Sequence, residues 1–152
     1  MVAFETAGSP ELRAALIHRA SGDAETVFAL LVPATPGRHL LFVRDGKATE
    51  VAQQVAQSAK RHLETAGLTI TEALAGKAAP LAAIADELAA NPGYASIIIC
   101  THPADVSRWL KAGVPQKARR FGLPVTHIVV KSVAEAAGYR VAELPPEPST
   151  PS

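Results

Sequence analysis

The residues with the most chemical potential follow a run of three isoleucines, Ile97 to Ile99. Cys100 supplies a thiol and His102 an imidazole, and residues two apart at a strand end can point the same way. This spacing allows a thiolate–imidazole pair for nucleophilic catalysis. We favour the alternative that Cys100 continues the apolar run, because a buried cysteine packs as a small hydrophobic residue.

The same region also suits an anion. Thr101 and His102 leave the strand, and Ser107 and Arg108 open the next helical stretch. Free N–H groups at a helix start, together with a hydroxyl and a guanidinium, can hold a phosphate. Alternatively, Ser107 only caps the helix and Arg108 is solvated. Trp109, the single tryptophan, either packs this helix on the sheet or stacks on a base.

Sequence motifs for several other chemistries are missing. The chain has no Gly-x-Gly-x-x-Gly dinucleotide fingerprint, no Walker A lysine loop and no Gly-x-Ser-x-Gly nucleophile elbow. Its five histidines show no metal-ligand spacing, and a single cysteine adds little to them. The sequence therefore gives no complete catalytic constellation and no metal site.

Composition places the chain among globular proteins. It has 152 residues, 48% of them hydrophobic and 19% charged, with a formal net charge of +1. So balanced a charge gives no reason to expect a nucleic-acid or acidic-lipid partner. One cysteine cannot form an internal disulfide. We see neither a secretory leader nor an apolar run of the ~20 residues that a membrane span needs, and expect a cytoplasmic protein.

Strand and helix signals alternate along the chain. Ser9 and Pro10 start a first helix that carries Leu12, Leu16 and Ile17 on one face, and Thr49 is the expected cap of a second helix. A third helix starts at Pro80, and a broken helical stretch follows with an interruption at Gly113. The predicted strands cover residues 2–4, 26–32, 68–73, 97–100 and 124–130.

This alternation predicts an α/β fold with a single doubly wound, five-stranded parallel sheet of Rossmann-like type. The domain is expected over residues 1–140, with a disordered Pro/Ser-rich tail over 141–152. Ligands of such sheets sit beyond the carboxyl ends of the strands, where the strand order reverses. The isoleucine strand, as the central fourth strand, is therefore expected to lead into the site.

Several segments together resemble one family. They are Ile98-Ile99-Cys100-Thr101-His102-Pro103, Ser107-Arg108-Trp109-Leu110, the stretch from Gly122 to Val129, and Glu5-Thr6-Ala7-Gly8. On these segments the chain resembles the universal stress protein family, in particular a branch of small actinobacterial members. The resemblance implies an adenine nucleotide alpha-hydrolase-like fold with a ligand at the tips of the first and fourth strands. The candidate ligand-binding residues are then Glu5, Thr6, Val32, Thr101, His102, Ser107, Arg108 and Trp109.

The ligand implied by the resemblance is ATP or AMP. ATP-binding members carry Gly-x-x-Gly and a later Gly-Ser/Thr after the fourth strand, whereas Thr101-His102-Pro103-Ala104 begins that stretch here. A Cβ atom at these positions keeps the backbone further from a phosphate. Two alternatives to a nucleotide therefore remain: another small anion as the ligand, or no ligand.

The expected function is a non-catalytic regulatory or sensing module. The alternatives are a ligand-free dimerisation or partner-binding module, and a nucleotide-processing enzyme of the same superfamily. The family often dimerises through its last strand, and Val125, Ile128 and Val130 would suit such an edge. The resemblance thus implies a homodimer.

Overall fold

The computed structural model describes residues 1–3, 6–34, 45–103, 108–130 and 140–146. Within these ranges helices and strands alternate, which confirms an α/β protein. The helices are α1 (Pro10–Ser21), α2 (Asp45–Thr65), α3 (Pro80–Ala90), α4 (Arg108–Lys111) and α5 (Val114–Ala118), followed by a 3-10 turn over Arg119–Phe121. The strands are β1 (Phe28–Pro33), β2 (Ile70–Gly76), β3 (Ile97–Thr101), β4 (Val125–Val129) and β5 (Arg140–Leu144).

The strands form two groups with one residue between them. β1 and β2 are parallel, as are β3 and β4, and β5 runs antiparallel beside β4. Val2 makes a parallel bridge to Leu31 in β1 and another to Ile99 in β3. Its N–H donates to the Ile98 carbonyl over 2.7 Å, and its carbonyl accepts from Cys100 N over 3.0 Å. Of the predicted first strand over residues 2–4, the structure describes residues 2 and 3 and shows a bridge at Val2, so the expected five-stranded parallel sheet is seen in part.

The strand predicted as the last one, residues 124–130, corresponds to β4 and is followed by a further strand, β5. β4 pairs with β3 on one side and with β5 on the other, so it is not an edge strand. The expected dimer contact through residues 124–130 would have to displace β5. Residues 141–144, which the sequence prediction assigns to the tail, lie in β5. This strand has only five residues beside a proline-rich segment, so its apolar pattern is too short to stand out.

Helix α1 begins as the sequence predicts but presents a narrower apolar face. The Ser9 hydroxyl accepts from the N–H of Leu12 over 3.2 Å, and Pro10 follows at the first helical position. Leu12 and Leu16 are fully buried, whereas Ile17 is 43% exposed because it lies about 100° further round the helix. The expected cap of α2 is wrong: Thr49 lies inside that helix, which already begins at Asp45.

Helices pack on both faces of the strands. Ile98 and Cys100 point toward a cluster built with α1 and α2, and Ile97 and Ile99 point toward a second cluster built with α3 and α5. All five residues of β3 are buried, as an apolar run without polar alternation predicts. Among the described residues, no helix is long and apolar enough to span a membrane.

Candidate functional site

The strand order places a reversal beside Val2. From Val2 the chain passes to β1 and β2 on one side, and then returns to β3 on the other side. In doubly wound sheets, the crevice beside such a reversal, at the carboxyl ends of the strands, is the usual ligand position. We call this place the strand-end site and define it by Thr6, Ser9, Glu11 and residues 100–103.

Two hydroxyls connect the segment after Val2 to the end of β3. Thr6 is 3% exposed, and its Oγ1 donates to the Cys100 carbonyl over 2.9 Å. Ser9 Oγ lies 3.9 Å from Cys100 Sγ while it caps α1. The amino end of α1 is therefore held directly beside the end of β3.

The Cys100 thiol is buried and protonated at neutral pH. Burial raises its pKa to about 11, against the opposing effect of hydrogen bonds with Thr6 and Ser9, and the Glu11 carboxylate raises it further. With such a pKa, only about 1 thiol in 10,000 is ionised at pH 7. The thiolate is the nucleophilic form, so Cys100 acts as a packed core residue and not as an activated nucleophile.

Glu11 brings an unpaired acceptor to the same site. Its Oε2 is buried and has no hydrogen-bond partner among the described residues. The residue lies in the first turn of α1, where the helix dipole stabilises a negative charge. A buried carboxylate oxygen without a partner costs free energy that a hydrogen-bond donor recovers. The strand-end site is therefore suited to a ligand that supplies such a donor.

The Thr101 side chain is hydrogen-bonded within the protein. Its Oγ1 lies 2.8 Å from Nε2 of His127, and both side chains are buried. Burial lowers the pKa of His127, which keeps the imidazole neutral. The pair fixes the end of β3 against β4. Thr101 therefore shapes the strand-end site through its backbone.

The structure gives only burial, packing or exposure for three other candidate residues. Val32 is completely buried inside the core. Trp109 is half-buried and packs against the second core cluster, the packing role that we weighed against base stacking. Arg108 is exposed at the start of α4, which has only four residues.

His102 directly follows β3 and is half-buried, with an interaction of its own. Glu5 and Ser107 lie outside the described residues. The structure thus places Thr6 and residues 101–102 at one strand end. It adds Ser9 and Glu11, for which the sequence signal was limited to a helix start.

A second concavity lies at the opposite, amino end of the strands. It is mainly apolar and is lined by Leu74, Ile84, Leu88 and Tyr94, among others. The Tyr94 hydroxyl donates to Glu87 over 2.7 Å. Burial raises the pKa of Tyr94, and the hydrogen bond to the Glu87 carboxylate raises it further. We call it the amino-end pocket. Within the described part of the chain, no three acidic, histidine or cysteine side chains are placed to hold a metal ion.

No protein-family model matches the chain, and no curated protein matches its sequence. The chemistry of the strand-end site is therefore the main guide to function.

Proposed function

We propose that this protein is a non-catalytic regulatory module that binds an adenine nucleotide at the strand-end site. The observation that carries the proposal is the double bridge of Val2 to Leu31 and Ile99. It supports a doubly wound, Rossmann-like sheet with the order β2, β1, Val2, β3, β4, in which the crevice beside Val2 is the usual ligand position. The resemblance to universal stress proteins points to the same place.

The chemistry of the site supports a nucleotide over a free inorganic anion. The unpaired Glu11 oxygen favours a ligand with a hydrogen-bond donor, such as a ribose hydroxyl or an adenine amino group. A phosphate alone would offer that carboxylate mainly repulsion. The phosphates of a nucleotide would lie further along the crevice, toward the backbone after Thr101.

The absence of the family's glycines affects the mode of binding. Thr101 and His102 carry Cβ atoms where a closely approaching backbone would have none. A looser phosphate contact favours AMP over ATP, because the nucleoside part then supplies more of the affinity. The protonated Cys100 thiol supports a binding role over a nucleophilic one.

Isothermal titration calorimetry with ATP, AMP and cyclic AMP tests the proposal. We expect heat of binding with AMP, and an affinity about tenfold lower for Glu11→Gln, because a carboxylate accepts more strongly than an amide. Glu64→Gln is the matched control, since Glu64 is exposed on α2. If none of the nucleotides gives heat or a thermal shift, the protein does not bind adenine nucleotides and the proposal is wrong.

A further inference from the structure

The outer edge of β2 carries an unusual pair of contacts. Within the described part of the chain, β2 pairs only with β1, so its other side has no neighbouring strand. Gln57 Nε2 donates to the Ala73 carbonyl over 3.2 Å, and Gln53 Oε1 accepts from the Ala75 N–H over 3.2 Å. Both glutamines project from α2, four residues apart and so on one face of the helix.

These two amides reproduce the bonds of one strand residue. In a parallel ladder, a single residue of the neighbouring strand donates to one carbonyl and accepts from the N–H two residues further on. Gln57 supplies that donor at Ala73, and Gln53 supplies that acceptor at Ala75. Unpaired edge groups otherwise form a template for another chain.

We propose that Gln53 and Gln57 guard the β2 edge against strand addition by a second copy of this chain. β2 contains no proline and only one charged residue, Glu72, and its Leu74 is 37% exposed. Such a segment is prone to pair with itself. In a twofold antiparallel arrangement with Ala73 opposite Ala73, Glu72 faces Leu74 of the other copy, so no like charges meet.

The double variant Gln53→Ala, Gln57→Ala tests whether the two glutamines block strand addition at the β2 edge. It frees the Ala73 carbonyl and the Ala75 N–H, and alanine keeps the helix propensity of α2 high. Sedimentation equilibrium should show self-association about tenfold or more tighter than in the unmodified protein. Gln54→Ala is the matched control, since Gln54 is exposed on the same helix and makes no bond to β2 in the structure. It should associate as the unmodified protein does.

A third substitution identifies the edge that associates. Ala75→Pro removes the outward N–H, and because that group points to Gln53 and not to β1, no ladder bond is lost. Added to the double variant, it should return self-association to the original level. Circular dichroism verifies folding, and the two single variants carry the test if the double variant does not fold. Unchanged association in the folded glutamine variants, or association that Ala75→Pro leaves intact, would overturn the proposal.

Discussion

Thr101 Oγ1 and His127 Nε2 lie 2.8 Å apart in the interior, across the boundary between β3 and β4. Thr101 is in register with Val129, so His127 sits two residues further back on its strand and the contact is diagonal. The hydroxyl satisfies one ring nitrogen of a histidine that burial keeps neutral. This buried pair holds the end of β3 beside the strand-end site.

The neutral His127 makes the protein less stable in acid. Because burial lowers the pKa of His127 in the folded state, the unfolded chain binds the proton more readily. The stabilising contribution is thus present above the unfolded pKa of about 6.5 and is lost as the pH falls below it. We expect the loss of unfolding free energy between pH 7 and pH 5, measured by urea denaturation, to be smaller in His127→Gln. His18→Gln, at an exposed position, should match the unmodified protein.

Titration of Cys100 makes the protein less stable in alkali, so its effect on the pH dependence of stability is opposite in sign to that of His127. Its pKa is raised from 9.0 to about 11 in the folded state, so stability is complete below pH 9 and declines as the pH rises toward 11. Two pKa units correspond to about 2–3 kcal/mol of unfolding free energy. Comparison of Cys100→Ala with the unmodified protein isolates this loss, since the titration of Tyr94 is common to both. Equal alkaline slopes in the two proteins would contradict the buried, protonated thiol.

Gly76, at the end of β2, lies too close to α3 for a side chain. A Cβ atom there would lie 2.8 Å from Ala83 Cβ and 3.0 Å from Leu31 Cδ1. We therefore expect Gly76→Ala to lower the unfolding free energy by about 1–3 kcal/mol, because α3 must shift away from β2. Gly93→Ala is the matched control, since its Cβ would meet nothing within 4 Å. Thermal denaturation compares them, and equal midpoints would show that α3 is not packed as described.

Arg19 connects α1 to the amino ends of two strands. Its guanidinium donates to Ser96 Oγ over 2.7 Å and to Thr126 Oγ1 over 2.9 Å. A lysine ammonium cannot reproduce this forked geometry, so Arg19→Lys should cost about 1–3 kcal/mol of unfolding free energy. Arg120→Lys, at an exposed position, should cost almost nothing. Equal denaturation midpoints for these two variants would mean that the forked contact does not stabilise the protein.

Local signals in the sequence predict much of the fold. The Ser9–Pro10 start of α1, the Pro80 start of α3 and the interruption at Gly113 all correspond to helix boundaries in the structure. Proline and glycine impose backbone conformations without help from distant residues, which makes them dependable markers. The alternating pattern of residues 68–73 likewise predicts a strand at a sheet edge, and β2 pairs with β1 alone among the described residues.

Contacts between distant segments could not be predicted in this way. β5 pairs antiparallel with β4, but the pattern of its five residues does not specify which strand they pair with. The candidate site shows the same limit. Thr101 was predicted to face a ligand, but its hydroxyl is bonded to His127, 26 residues away. Ser9 and Glu11 look like ordinary helix-start residues until the fold brings them beside Cys100.

Nitrogen-15 NMR spectra recorded during a titration with AMP test the central claim most directly. We predict that saturation shifts the amide signals of residues 6–9 and 100–102, which the fold brings to the strand-end site, while signals of Leu74, Leu88 and Tyr94 at the amino-end pocket stay in place. Shifts confined to the amino-end pocket, or no shifts at all, would contradict nucleotide binding beside Val2 and β3.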